Sequence, residues 1–275
     1  MDAQRKAELA EYARQIRVGV IEGTYAAKSG HPGGSLSIAD LLAYLYWEEL
    51  RIDPKNPKWE DRDRLVLSKG HCAPGLYAAL ALRGYFPVED LKTLRHVGSY
   101  LQGHPDLKHI PGVDMSAGSL GQGASVAVGM ALAGKLDNAD RRVYAILGDG
   151  ESEEGQVWEA AMFAGHRKLD NLCFILDVNG MQIDGTLDEV VDPRPHDKKF
   201  EAFGWNVISV CAHDFDEIEK AFAAAKAYKG KPTVILAHST KGKGVSFMEN
   251  NVDFHGKAPN DEEYKIALAE LAKKA

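Results

Sequence analysis

The chain has 275 residues, 45% of them hydrophobic, so it can bury a core as one large domain or two small ones. A net charge of −7 and the absence of a polybasic run argue against binding to nucleic acid or to an anionic membrane. No apolar run approaches the roughly 18 residues of a membrane span, no signal peptide opens the chain, and the three cysteines form no zinc or disulfide pattern, so we predict a cytoplasmic protein.

Helical and strand patterns alternate along the chain. A helix over 3–28 is broken by Gly30-His31-Pro32-Gly33-Gly34, and a second helix starts near Ser37 and ends before Pro54. The later predicted elements are strand 65–67, helix 76–82, helix 121–135, strand 143–147, helix 152–168, strand 172–178, strand 205–210, a helix capped by Asp214, strand 233–237 and a short terminal helix. This alternation predicts an α/β fold, with a parallel sheet covered by helices on both faces. No linker or repeat divides residues 1–275, which are predicted to form a single domain.

Gly148-Asp149-Gly150 forms the turn of a predicted strand–turn–helix unit. A helix that begins at such a turn offers free N–H groups to a phosphate. However, Asp149, Glu151, Glu153 and Glu154 place four carboxylates within six positions, and these would repel a bare polyphosphate. A divalent cation between carboxylate and phosphate resolves this conflict.

The next predicted strand ends in Asn179-Gly180-Met181, which offers an amide oxygen and the backbone carbonyl of Met181. Mg²⁺ and Ca²⁺ take oxygen ligands of this kind. A Gly-Asp-Gly triplet alone is also an ordinary turn sequence. The fingerprint of a dinucleotide-binding protein would need glycine at position 153, where the chain has Glu153. The pattern therefore favours a metal-held diphosphate.

Gly148-Asp149-Gly150 followed by Asn179, a separation of 179 − 149 = 30 residues, resembles the thiamine diphosphate motif of transketolases. The resemblance implies a thiamine diphosphate-binding fold. It implies that Asp149, Asn179 and the carbonyl of Met181 hold Mg²⁺, or Ca²⁺ as a substitute. It also implies that the N–H group of Gly150 binds the diphosphate of the cofactor.

Four of the ten histidines sit beside glycine or proline in predicted loops: His31, His71, His104 and His255. A single loop histidine is usually solvated, but together the four are similar to the active-site histidines of transketolases. The resemblance implies that His71 and His255 lie near the diphosphate and that His31 and His104 bind substrate hydroxyls. Imidazole moves protons near pH 7, so we predict His31, His104 and His255 as catalytic residues.

Further cofactor contacts are implied by the same resemblance. Gly118 and Leu120 lie in a segment similar to the family's Pro-Leu-Gly-Gln-Gly loop, with Ser119 in place of the proline. Ile183 matches a residue that packs on the cofactor, although an ordinary core isoleucine is an equal alternative. Glu154 matches a glutamate at the family's subunit interface. Glu151 and Glu153 have no match and are interpreted as a charge cluster at a helix N-terminus.

The resemblance covers only the N-terminal, diphosphate-binding part of transketolases, which are more than twice this length. The glutamate that activates the cofactor and the arginines for the sugar phosphate belong to the other part. We therefore predict the N-terminal subunit of a split transketolase that moves a two-carbon ketol unit between sugar phosphates. Its partner would be a separate C-terminal subunit, in an α₂β₂ heterotetramer.

Two alternatives remain open. Lys241-Gly242-Lys243-Gly244 is shared with deoxyxylulose-phosphate synthase, so a related thiamine diphosphate enzyme, or a transketolase for a branched ketose, is the second interpretation. A non-catalytic homologue that binds the Mg-diphosphate is the third, although the intact set of four histidines argues against a decayed active site.

Overall fold

The structure of the protein, a computed structural model, describes residues 1–273. The helices are α1 (Ala3–Ala27), α2 (Pro32–Ser37), α3 (Ala39–Tyr44), α4 (Ala73–Leu82), α5 (Gln122–Leu136), α6 (Gly155–His166), α7 (His196–Ala202), α8 (Phe215–Ala227) and α9 (Asp261–Leu271). The strands are β1 (Arg64–Leu67), β2 (Val143–Gly148), β3 (Leu172–Val178), β4 (Asn206–Cys211) and β5 (Thr233–His238). Strand positions agree with the sequence prediction to within one residue at each end.

The five strands form one parallel sheet in the spatial order β1-β2-β3-β5-β4. Alternate side chains along each strand enter two separate cores. Ile146, Ile175 and Ile235 lie side by side and pack with α1, α3, α4 and α8. Leu147 and Phe174 belong to the opposite core, which holds α5, α6 and α7. The predicted α/β fold with helices on both faces is confirmed.

Burial on both faces explains why the central strands read as continuous apolar runs in the sequence. Because all strands are parallel, their carboxyl ends meet at one edge of the sheet, where ligands bind in folds of this type.

A third, smaller core joins α1 and α9 to the segment 245–254. This core supports the long connection that follows β5.

The predicted break after α1 is present but shorter than expected, because only residues 28–31 are non-helical. Residues Pro32–Ser37 form α2, whereas the Gly33-Gly34 pair was expected to keep this segment non-helical and the second helix was expected to start near Ser37. Here packing overrides helix propensity. A Cβ atom on Gly33 would lie 2.9 Å from the carbonyl oxygen of Phe254, and one on Gly34 would lie 2.7 Å from Cys72 Sγ. The two glycines therefore let α2 approach its neighbours closely.

Two other details concern helix ends. Asp214 caps α8 as predicted, since its Oδ1 accepts hydrogen bonds from the N–H groups of Asp216 at 2.8 Å and Glu217 at 3.3 Å. The sequence analysis missed α7, which begins directly after a cis Arg194–Pro195 peptide bond.

Within residues 1–273, no helix is both long and apolar enough to cross a bilayer.

Candidate functional site

A cavity of about 350 Å³ lies at the carboxyl edge of the sheet. Its floor comes from residues that follow four strands: His71 after β1, Asp149 after β2, Asn179 after β3 and Lys241 after β5. All twelve residues singled out in the sequence line this one cavity: His31, His71, His104, Gly118, Leu120, Asp149, Gly150, Glu154, Asn179, Met181, Ile183 and His255. Segments more than 200 residues apart in the chain are thus brought together, although the roles of these residues stay predictions.

Asp149 is 1% exposed and has no cation within hydrogen-bonding distance in the described chain. Among the described residues, its carboxylate accepts hydrogen bonds only from backbone N–H groups, those of Gly150 at 2.9 Å and Gly180 at 2.6 Å. Burial, together with repulsion from the nearby carboxylate of Asp177, raises the pKa of Asp149 to about 6. A buried carboxylate that forms no direct ion pair within the described residues is well suited to bind a cation.

Asn179 is held in one orientation by the carboxylate beneath it. Its Nδ2 donates to Asp177 Oδ2 at 2.8 Å, so its Oδ1 is the acceptor, and this oxygen receives the N–H group of Met181 at 3.1 Å. Asp177 is fully buried and pairs with Lys69 Nζ at 2.6 Å. Although burial alone would raise it, the Lys69 charge lowers the pKa of Asp177. The pair therefore stays charged and fixes the amide of Asn179.

These residues fit a magnesium ion by the chemistry of their donor atoms. Asp149, Asn179 and the Met181 carbonyl supply a carboxylate, an amide and a backbone oxygen, and Mg²⁺ takes oxygen ligands. Residues 1–273 contain no group of three His, Cys, Asp or Glu side chains able to hold a metal ion by themselves. A hard ion at this position would need further oxygens, and the phosphates of a ligand are the usual source.

The histidine rings form one cluster. The ring centroid of His31 lies 5.2 Å from that of His71, 5.5 Å from that of His255 and 6.5 Å from that of His104. Burial and the neighbouring imidazole of His71 lower the pKa of His31 to about 4, and burial and the Lys69 charge lower the pKa of His71 to about 4. The rings are therefore neutral near pH 7, so each can donate one hydrogen bond and accept another.

Lys241 fixes the tautomer of His255. Its Nζ lies 2.9 Å from His255 Nδ1, and since an ammonium only donates, Nδ1 is the acceptor and Nε2 carries the proton. Burial and the Lys241 charge lower the pKa of His255 to about 2. Burial and the nearby Lys69 lower the pKa of Lys241 to about 8. At neutral pH Lys241 thus remains largely a cation beside a neutral imidazole.

Glu151 lies in the first turn of a short helix, as the interpretation of a charge cluster at a helix N-terminus requires, but its side chain is buried and hydrogen-bonded. It is 4% exposed, and its Oε1 accepts from Ser68 Oγ at 2.5 Å and from the N–H group of Gly121 at 2.8 Å. Its Oε2 accepts from the N–H group of Gly148 at 3.0 Å. One carboxylate therefore joins the end of β1, the end of β2 and the loop that carries Gly118 and Leu120.

The rim of the cavity is more open. Ile183 is 61% exposed, which rules out the alternative of an ordinary core isoleucine. Glu154, which follows the turn at Asp149, is also exposed, whereas Leu120 is half-buried. These residues leave apolar and acidic groups at the mouth of the cavity.

Sequence reasoning missed three residues that build the site: Lys69, Lys241 and Glu151. Each is less than 5% exposed, and lysine and glutamate are seldom buried so deeply without a specific partner. Lys69 and Lys241 stand beside glycine in Ser68-Lys69-Gly70-His71 and Lys241-Gly242, which was the available signal.

Comparisons with known proteins agree with this geometry. The family model described as "Transketolase, thiamine diphosphate binding domain" matches residues 8–273. The chain is 50% identical over 271 residues to the 6-deoxy-6-sulfo-D-fructose transketolase subunit SqwG of Clostridium sp. (strain MSTE9), covering 98% of each chain. It is 42% identical to one subunit of the apulose-4-phosphate transketolase of Phocaeicola vulgatus, covering 93% of this chain and 90% of that one.

A solved structure gives the same result. The chain superposes on the transketolase from Leishmania mexicana with a TM-score of 0.91 at 35% identity, covering 97% of this chain and 41% of that one. Fold and cavity thus define a thiamine diphosphate-binding domain. More particularly, the chain belongs to the transketolase family and is therefore of the transferase type. Within this family it resembles the N-terminal subunits of split enzymes. It spans about two fifths of the full-length transketolase that it matches.

Proposed function

We propose that this chain is the diphosphate-binding half of a split transketolase, which moves a two-carbon ketol unit only together with a separate C-terminal subunit. The observation that carries the proposal is the convergence of all twelve predicted residues on one cavity. The two relatives of similar length are both named as subunits of transketolases, which supports a partner of the same kind here. We further propose one domain and an α₂β₂ assembly.

In this proposal Asp149, Asn179 and the Met181 carbonyl would hold Mg²⁺, and the N–H group of Gly150 would bind the diphosphate. Lys241 adds a positive charge to the same cavity wall. Thiamine diphosphate supplies the carbanion chemistry when bound, and the protein supplies position and electrostatics. The buried carboxylate of Asp149, whose pKa burial and Asp177 raise to about 6, supports this assignment.

The histidines would handle the protons of the sugar. His31 lines the cavity and its ring is neutral near pH 7, so it can exchange a hydrogen bond with a substrate hydroxyl. The Nε2–H group of His255 is a fixed donor because Lys241 occupies Nδ1. His104 is exposed at the cavity and lies next to His31, where a second hydroxyl of an extended sugar can be bound.

Exposed apolar side chains support the partner proposal. Met162 and Phe163 on α6 are 54% and 43% exposed, and Val126 on α5 is 37% exposed. Ile183 adds a 61% exposed side chain at the mouth of the cavity. A second subunit that covers these residues would also close the cofactor cavity against water.

A second candidate substrate class is favoured by the 50% identity to a subunit whose name specifies 6-deoxy-6-sulfo-D-fructose. A sulfonate, like a phosphate, is a terminal anion on a ketose. We therefore propose ketoses with a terminal anion as donors, with sugar phosphates and sulfosugars as the two classes to compare.

The test is an assay of ketol transfer with phosphorylated and sulfonated ketose donors. We expect negligible activity from the purified chain alone, and activity when the subunit that co-purifies with it is restored. The Asp149→Ala variant, mixed with the same subunit, is the inactive control. Full activity of this chain without any partner would contradict the split-enzyme proposal.

A further inference from the structure

His213 lies behind the cavity and contacts the segment that carries Lys241. It follows β4, which among the strands of residues 1–273 is the one whose carboxyl end contributes no residue to the cavity. We propose that His213 is a positioning residue, which holds the backbone at Thr240 and thereby places Lys241 and His255. This inference rests on the function proposed above, because it deepens the description of the same site.

Two hydrogen bonds fix the imidazole of His213. The N–H group of Thr240 donates to Nε2 at 2.9 Å, so Nε2 carries a lone pair and Nδ1 carries the proton. The Nδ1–H group then donates to Asp40 Oδ2 at 2.6 Å. Although burial alone would raise it, the Arg17 charge and the His213 contact hold the pKa of Asp40 at about 2, so Asp40 is an acceptor at every pH of interest.

Asp40 does not need His213 for its own neutralisation. Both of its oxygens already pair with Arg17, Oδ1 with Nη1 at 3.2 Å and Oδ2 with Nη2 at 2.5 Å. The contribution that only His213 makes is an acceptor for the backbone N–H group of Thr240. Asp40 serves to orient the ring, and α1 and α3 anchor Asp40 through this ion pair.

The position of Thr240 decides where Lys241 lies. Thr240 is the residue directly before Lys241, and the N–H group of Gly242, the residue directly after Lys241, donates to the carbonyl oxygen of Gly33 at 2.9 Å. The backbone is thus held on both sides of Lys241. Its Nζ in turn contacts His255 Nδ1 at 2.9 Å, so a shift at Thr240 would move both the cation and the histidine in the cavity.

Two variants separate the two hydrogen bonds. The Oε1 atom of glutamine occupies roughly the place of histidine Nε2, so His213→Gln keeps an acceptor for Thr240 and loses the bond to Asp40. The Nδ2 atom of asparagine occupies roughly the place of Nδ1, so His213→Asn keeps the donor to Asp40 and leaves the Thr240 N–H group without a partner. If His213 acts only structurally, through Asp40, His213→Gln is the more harmful change. If His213 positions the backbone at Thr240, His213→Asn is the more harmful change.

The experiment uses the full chain together with the subunit that co-purifies with it. We expect His213→Asn to raise the dissociation constant of thiamine diphosphate, titrated in Mg²⁺, about tenfold. We expect His213→Gln to stay within about threefold of the parent protein. Hydrogen–deuterium exchange of the peptide over 239–244, measured without cofactor, should accelerate in His213→Asn and not in His213→Gln.

The exchange measurement separates this inference from the proposed function. If exchange follows the expected order but the parent protein binds no thiamine diphosphate, His213 positions the segment and the proposed function fails. If the two variants exchange alike, or if His213→Gln has the larger effect, the positioning role is overturned whatever the parent protein binds.

Discussion

Asp149 is the group in the cavity whose titration near neutral pH matters most. Its pKa is raised from 3.8 to about 6, whereas the pKa values of His31 and His71 are lowered to about 4 and that of His255 to about 2. Between pH 5 and 7 these three histidines therefore stay neutral while Asp149 ionises. A metal ion binds the ionised carboxylate and must displace the proton below that pKa.

We predict that Mg²⁺-dependent affinity for thiamine diphosphate falls about tenfold for each pH unit below about 6 and is nearly flat from about 6.5 to 7.5. Without a metal ion the effect of pH has the opposite sign. Because the pKa of Asp149 is raised in the folded chain, its contribution to the free energy of unfolding is full below 3.8 and is lost as the pH rises through about 6. Isothermal titration at several pH values measures the first effect. An affinity that stays constant down to pH 5 would contradict the metal assignment of Asp149.

Glu151 gives a second prediction at the scale of single residues. In Glu151→Gln one of the two carboxylate oxygens becomes an NH₂ group, which faces the N–H group of either Gly121 or Gly148 and leaves it unsatisfied. We expect a loss of about 1–3 kcal/mol in the free energy of unfolding, and weaker cofactor binding, because the loop that carries Gly118 moves. Urea denaturation measures the first effect.

The matched control is Glu159→Gln on α6, which removes an exposed carboxylate. It should change the free energy of unfolding by less than about 0.5 kcal/mol. Equal, small effects of the two changes would show that the hydrogen bonds of Glu151 contribute nothing measurable.

Much of the site was predictable residue by residue, because Asp149, Asn179 and the four histidines stand in short motifs. What could not be predicted is burial that depends on distant partners. The environment of Lys69 is set by Asp177, which lies 108 positions later in the chain. The environment of Glu151 is set by Ser68 and Gly121. The glycine beside Lys69 is a local signal, but by itself it does not distinguish a buried charge from a solvated one.

Helix α5 illustrates how an element is placed by its small residues. A Cβ atom on Gly123 would lie 2.5 Å from Ser68 Cβ, whereas one on Gly129 of the same helix meets nothing within 4 Å. Ser68 in turn donates to Glu151. Gly123 therefore allows the first turn of α5 to pack directly on the end of β1.

We predict that Gly123→Ala lowers the free energy of unfolding by about 1–3 kcal/mol, because the added methyl group pushes α5 away from Ser68. Gly129→Ala is the control on the same helix and should raise it by about 0.5–1 kcal/mol, since alanine favours the helix and no clash opposes it. Urea denaturation of both variants measures the difference. A gain in stability from both changes would contradict the close contact.

At the scale of elements the sequence predicts the sheet better than the first helices. The strands are apolar runs between glycine-rich turns, which local patterns reveal. Helix α2 was not predicted, because the low helix propensity of Gly33 and Gly34 indicates a break. The two glycines allow its close approach to Phe254 and Cys72, which the local sequence does not show.

At the scale of the whole molecule, the exposed apolar residues Met162, Phe163, Val126 and Ile183 are the surfaces that a second chain would cover in the proposed enzyme. The relatives of similar length carry names of subunits, whereas the full-length transketolase is more than twice as long. Both observations support a catalytic unit made from two different chains.

Native mass spectrometry of this chain tests that account most directly. The tagged chain would be isolated from the cells that produce it, in buffer with Mg²⁺ and thiamine diphosphate. We expect a complex that contains two kinds of chain, two copies of each, together with bound cofactor. A homo-oligomer without a second chain and without thiamine diphosphate would contradict the proposal of a split transketolase.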